Sequence, residues 1–237
     1  MKNIAMLFVL AIMFAGSAFA DTASLSVNAP LMTREIQAKM TPVQALDRLM
    51  AGNERFVKRH RPAQRDYIEA AGLTVEGQYP AAIVLSCIDS RVPPEIVFDQ
   101  GVGNIFVTRV AANVLSDDIL GGMEYATAVV GARIVLVMGH EHCGAVKGVC
   151  KGVKLGHLTG LLQKISPAMQ EASDEMKTRD CADSAFIDRI AEENVEDAVR
   201  EIPKRSPVIK KLVDEGKVKI VGAMYHLGTG RVTIIDE

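Results

Sequence analysis

The stretch 84-VLSCIDSR-91 begins as an apolar run and breaks into Cys87, Asp89 and Arg91. A second stretch, 135-VLVMGHEHC-143, has the same form and breaks into His140, His142 and Cys143. Short, nearly all-apolar runs rich in β-branched residues are the mark of strands buried on both faces. The runs 81-AAIVLSC-87, 104-NIFVTRV-110 and 133-RIVLVMG-139 all read that way. Between the second and the third, Ser116, Asp117 and Asp118 open a helix that extends to about Val130, because a capping hydroxyl and early acids suit a helix start. Strands alternating with helices predict an α/β fold, a mainly parallel central β-sheet flanked by helices. In such sheets ligands collect beyond the carboxyl ends of the strands. Cys87 ends the first run and His140 the third, so the two quoted stretches are expected to meet at one site.

Working outward, 41-TPVQALDRLMAGNERFVK-58 predicts a helix. Thr41 caps it, Pro42 suits the first helical position and Gln44 completes a capping box. Val43, Leu46, Leu49, Met50 and Phe56 fall on one face of it. Residues 59 to 80 read as a surface loop or short helix, and residues 144 to 151 as a short helix. The segment 158-LTGLLQKI-165 begins another helix, and 183-DSAFIDRIAEENVEDAVREI-202 is long and amphipathic. Ser206-Pro207 starts a further helix that Gly216 stops. The runs 217-KVKIVGAMYHL-227 and 231-RVTIID-236, joined by 228-GTG-230, predict a C-terminal β-hairpin. Residues 41–237 are expected to form a single domain, preceded by an irregular N-terminal arm over 21–40.

The first twenty residues read as a signal peptide. Lys2 supplies a positive start, Ile4 to Ala15 an apolar core, and Ala18-Phe19-Ala20 a small-x-small cleavage pattern. Cleavage near Ala20 predicts a periplasmic or secreted protein. Beyond the leader no apolar run is long enough to cross a bilayer, so no stable membrane association is expected. The chain has 237 residues, 49% of them apolar, which suffices for a sizeable core. The formal net charge is -2, and no basic cluster stands out, which argues against nucleic acid as a partner. The four cysteines, Cys87, Cys143, Cys150 and Cys181, would favour disulfides in an oxidising compartment.

Two of them have a different explanation. His140 and Cys143 are three residues apart at the turn into a helix, and Cys87 arrives from a neighbouring strand end. Zinc favours mixed thiolate and imidazole donors in tetrahedral geometry, and three protein ligands leave the open position of a catalytic site. A thiol can persist in an exported protein if a metal keeps it deprotonated and occupied.

The pattern C-x-D-S-R (Cys87, Asp89, Ser90, Arg91) followed by H-x-x-C-G (His140, Cys143, Gly144) resembles the β-class carbonic anhydrases. The similarity runs from about Thr41 to Asp236 and includes 98-FDQGVGNIFVTRVAANV-114, 124-EYA-126 and 225-YHLGTGRV-232. The resemblance implies zinc-dependent reversible hydration of carbon dioxide to bicarbonate and a proton by metal-bound hydroxide. It implies Zn²⁺ on Cys87, His140 and Cys143, with Asp89 and Arg91 as a dyad beside it. Gln100 matches a glutamine that hydrogen-bonds the substrate, usually across a dimer interface. The assembly implied is a homodimer or homotetramer, with the apolar strand 104–110 and the N-terminal helix contributing.

In some members the aspartate becomes a fourth zinc ligand in a closed, inactive state, which would make Asp89 a ligand there. Their bicarbonate pocket includes a tryptophan. This chain has no Trp, which argues against bicarbonate regulation. A hydrolase of carbonyl sulfide or carbon disulfide would use the same ligands. His142 is expected to be packed or solvent-facing. Cys150 and Cys181 form either a disulfide or two small buried hydrophobes. His226 stands where the family commonly has an acid.

Overall fold

The computed structural model describes residues 30–60 and 66–236. The expected signal peptide, its cleavage site and the first part of the arm lie outside the described residues. The described part of the arm is not irregular: residues Arg34–Lys39 form a helix, α1, capped by Thr33 Oγ1. Gln37 is buried beneath it and donates to the Pro80 carbonyl at 2.8 Å. Helix α2 spans Pro42–Val57 and carries the expected capping box. Leu46 and Leu49 are buried on it, but Val43, in its first turn, is exposed. Tyr67–Leu73 is a short surface helix, α3.

The sheet is built from β1 (Ala82–Ser86), β2 (Ile105–Arg109), β3 (Ile134–His140), β4 (Lys219–Tyr225) and β5 (Val232–Asp236). Its order is β2-β1-β3-β4-β5; the first four strands are parallel and β5 returns antiparallel as the second arm of the hairpin. β1 and β3 are buried along their whole length. Their side chains alternate between two cores. Ile83, Leu85, Val135 and Val137 face one, and Val84, Ile134, Leu136 and Met138 face the other. Each fully buried Leu or Ile side chain contributes roughly 2 kcal/mol of transfer free energy. β2 departs from the expected full burial: every residue in it is only half-buried, since it is an edge strand paired within the chain to β1 alone.

Helices cover both faces. α2 packs on the core that includes Val84 and Leu136, with α4 (Pro94–Val97) beside it. The opposite face carries α5 (Asp117–Glu124), α6 (Gly144–Cys150), α7 (Gly156–Gln163), α8 (Ser166–Met176), α9 (Ser184–Arg205) and α10 (Pro207–Asp214). Ser116 caps α5 as expected, and the helix widens into a π-helical turn over Tyr125–Val129 before stopping at Gly131. The approach of α2 to the 98–100 turn requires a glycine: a Cβ on Gly52 would lie 1.7 Å from the Phe98 carbonyl oxygen.

β1 and β3 are adjacent, but the chain leaves β1 toward β2 on one side and leaves β3 toward β4 on the other. The gap between the two connections is a topological switch point, where an open parallel sheet forms a crevice. The two stretches quoted at the outset end there.

Candidate metal centre

Cys87 directly follows β1, His140 is the last residue of β3, and Cys143 is the N-cap of α6. All three are buried, and their donor atoms lie within 4.8 Å of one another. The imidazole is already set for a metal. His140 Nδ1 donates to the Glu141 carbonyl at 2.8 Å, which leaves Nε2 with a free lone pair. Nε2 is a buried atom without a hydrogen-bond partner, an arrangement that costs free energy unless something else occupies it. The thiols compete for a single proton. Cys87 is pulled well below the ordinary thiol range, first by the hydrogen bond from Cys143, with the Ala112 amide acting the same way. Cys143 is pushed up by that same bond, by burial and by the charge on Cys87. A divalent cation resolves this conflict, because it takes both sulfurs as thiolates. Two soft sulfurs and one imidazole nitrogen with an orphaned lone pair fit Zn²⁺.

Asp89 and Arg91 form the expected pair. Asp89 Oδ1 accepts from Arg91 N and Nε, both at 2.9 Å, and Oδ2 accepts from Nη2 at 2.7 Å. This fork holds the Asp89 carboxyl well below the usual carboxylate range, with the Arg91 side chain as the largest cause. Asp89 Oδ2 is 3.9 Å from His140 Nε2, so the carboxylate borders the donor triad. Among the described residues the group able to hold a metal is Cys87, His140 and Cys143, without Asp89.

The structure does not bring Gln100 to these residues. Gln100 is buried, donates to the Phe98 carbonyl at 2.9 Å and accepts from Arg48 Nε at 3.2 Å. The neighbouring Asp99 pairs with Arg55 at 2.7 Å, which fastens this turn to α2. His142 is solvent-facing, one of the two placements expected of it. His226 pairs with the side chain of Glu141, which gives its departure from the family's acid a partner. Cys150 and Cys181 form a disulfide that ties the end of α6 to the loop before α9.

Several residues at the site have no counterpart in the sequence reading. Arg109 reaches from the end of β2 and donates to the carbonyls of Cys87 at 2.8 Å and Asp89 at 2.5 Å. An arginine at the end of an apolar strand was the available signal. Ala112 N donates to Cys87 Sγ at 3.2 Å. It can do so because Ala112 (φ 52) and Asn113 (φ 45) are both left-handed, a conformation that costs about 1–2 kcal/mol per residue. Asn194 on α9 holds that turn by donating to the Ala112 carbonyl at 2.7 Å. Asp188, also on α9, accepts from the backbone amide of His142 at 2.7 Å. Nothing in the local sequence marks Ala112, Asn194 or Asp188.

A parallel sheet that delivers two thiols and an imidazole to its carboxyl edge, beside a carboxylate locked to an arginine, defines an α/β protein with a candidate soft-donor metal site. A family model described as carbonic anhydrase matches residues 82–232. Carbonic anhydrase 2 of Mycobacterium tuberculosis is 34% identical over 202 residues, covering 83% of this chain and 94% of that protein. Among solved structures, the β-carbonic anhydrase CcaA has a TM-score of 0.65 at 26% identity, over 81% of this chain and 95% of that one. One of two tetrameric β-carbonic anhydrases from Sordaria macrospora shares the fold, with a TM-score of 0.63 at 24% identity over 81% of this chain and 94% of that one. The chain belongs to the carbonic anhydrase family, in its β class.

Proposed function

We propose that Cys87, His140 and Cys143 hold a zinc ion and that Asp89, Arg91 and Gln100 complete the active site. The reaction is the reversible hydration of carbon dioxide to bicarbonate and a proton. The observation that carries this reading is the buried, partnerless His140 Nε2 facing two thiols in a chain of this family.

When bound, zinc acidifies water toward neutral pH and so supplies the nucleophile, an effect for which carbonic anhydrase is itself the standard example. Two thiolates cancel the charge of the ion, so the protein must assist. Asp89 does this from its Oδ2, which carries one bond from Arg91 where Oδ1 carries two, and so keeps a lone pair for the reacting water. Arg91 keeps that carboxylate ionised and fixed in direction. Ala112 N offsets part of the negative charge on Cys87. Gln100 orients a substrate oxygen. Because its own hydrogen bonds run to Phe98 and Arg48, we place it in the site of a second subunit.

The assembly is accordingly a homodimer or homotetramer. The half-buried edge strand β2 supports this, together with exposed Val102 and Tyr125. Exposed Tyr125 packs against Phe106 of β2 at a ring separation of 6.0 Å. The protein is exported after cleavage near Ala20. The leader pattern supports this, as does the Cys150–Cys181 disulfide, which suits an oxidising compartment. No described helix is long and apolar enough to cross a membrane.

The test is stopped-flow carbon dioxide hydration by the purified protein, with zinc measured on the same sample. Fast hydration with about one zinc per chain is the expected result. Zinc without hydration would overturn the catalytic reading, and hydration that survives complete removal of zinc would overturn the metal assignment.

A further inference from the structure

β3 and β4 run in register as far as His140 and Tyr225, and the Glu141 amide continues the pairing to the Tyr225 carbonyl at 3.3 Å. The next side chains then bond to each other. The Glu141 carboxylate can only accept, so His226 donates from Nδ1 to Oε1 at 2.7 Å. Its other ring nitrogen, Nε2, lies 2.9 Å from Thr233 Oγ1. The amide of Leu227 donates to the other Glu141 oxygen, Oε2, at 3.1 Å. The turn that supplies these donors is itself closed. The His226 carbonyl accepts from the amides of Thr229 and Gly230, and the His226 amide donates to Arg231. The β4–β5 turn therefore grips Glu141 by both carboxylate oxygens.

That grip matters because of what the Glu141 main chain does. Its carbonyl is the acceptor for His140 Nδ1. The peptide between Glu141 and His142 thus sets the direction in which Nε2 points. His142, on the other side of that peptide, is left-handed (φ 53), a conformation that does not hold itself. Two contacts restrain the peptide: Asp188, which accepts from the His142 amide, and the anchored Glu141 side chain.

We propose that His226 is a positioning residue for His140: it anchors Glu141, whose carbonyl holds the imidazole with Nε2 facing Cys87 and Cys143. This rests on the zinc reading above. Its test reads metal binding rather than turnover. Zn²⁺ affinity is measured by chelator competition, and Co²⁺ absorption bands report the donor geometry in the substituted protein. His226→Ala should weaken Zn²⁺ binding by up to about 10-fold, the low end of the effect of losing a direct outer-shell partner, and should shift the Co²⁺ bands. His226→Asn places an amide NH₂ near the position of Nδ1 and should restore both. His226→Gln places its amide near Nε2 and should not. Unchanged affinity in the Ala and Gln variants overturns the proposal. So does an Asn variant as weak as Gln, because the loss would then not run through the bond to Glu141. If the Ala variant fails to fold, the contrast between Asn and Gln decides alone. If the unsubstituted protein binds neither metal, the zinc reading falls and this proposal falls with it.

Discussion

The loop after β1 and the loop after β3 bring the donors together, and they are held by opposite chemistry. After β1 the free groups are carbonyls. Arg109 satisfies two of them, and an amide, Ala112 N, reaches the Cys87 sulfur. After β3 the free groups are amides and an imidazole. Carboxylates and a carbonyl meet them: Asp188 at His142 N, and the Glu141 carbonyl at His140 Nδ1. The first loop is therefore surrounded by donors, which suits a thiolate and the backbone of Asp89. The second meets acceptors at His142 N and His140 Nδ1, which suits an imidazole that must keep its proton on Nδ1, while its Glu141 side chain is held by the donors of the β4–β5 turn. A switch point supplies both because the chain leaves the two strands in opposite directions.

Removing one of the three candidate metal donors should have the strongest consequence. Cys143→Ala should abolish stoichiometric zinc and reduce carbon dioxide hydration to the background rate, as read by metal analysis and stopped flow. A variant that kept both would break the comparison at its centre. Loss of the Cys150–Cys181 bridge, by paired serine substitution, should cost about 3–4 kcal/mol from the entropy of its 31-residue separation. Denaturant titration would measure that. The rate per folded, zinc-loaded site should stay near the original, since the bridge lies at the far end of α6 from Cys143.

The two clamps can then be weighed against each other. Arg109→Ala should cost about 2 kcal/mol, because two partly buried carbonyls lose a charged donor. Asp188→Ala should cost about 1 kcal/mol and weaken zinc binding roughly 10-fold, with Asp188→Asn restoring most of both. A double variant whose loss departs from the sum of the two would mean that the loops are not held independently.

The smallest effect concerns acid. The Asp89 carboxyl lies below its ordinary value of 3.8, so the stabilisation from Arg91 is present above about pH 4 and is lost as pH falls through the depressed value. Arg91→Gln returns the carboxyl toward its ordinary range, so the acid-side fall in activity should move to higher pH. A profile that did not move would show that Arg91 contributes nothing to holding Asp89 ionised.

The parallel strands and the meeting of Cys87, His140 and Cys143 at their ends were legible because each depends on short-range pattern. β1 and β3 are apolar on both faces, and Cys87, His140 and Cys143 sit where those runs stop. The Thr41 capping box and the C-terminal hairpin were legible for the same reason. β2 was misread as fully buried because an apolar run carries no mark of whether one neighbour or two will pair with it. Val43 was misplaced because helical periodicity names a face but not where that face ends. The helix Arg34–Lys39 is short, and its weak pattern gains support from the contact of Gln37 with Pro80, a residue distant in the chain.

The α/β class, the convergence of Cys87, His140 and Cys143 and the Asp89–Arg91 fork follow from local pattern, because the residues of each feature are close in the chain or end neighbouring strands. What holds those donors in place depends on the closed fold. Arg109 acts across 22 positions, Asp188 across 46, Asn194 across 82 and His226 across 85. Hydrogen bonds over such separations have no local signature, since any arginine, aspartate, asparagine or histidine reads alike until the sheet closes and gives it a partner.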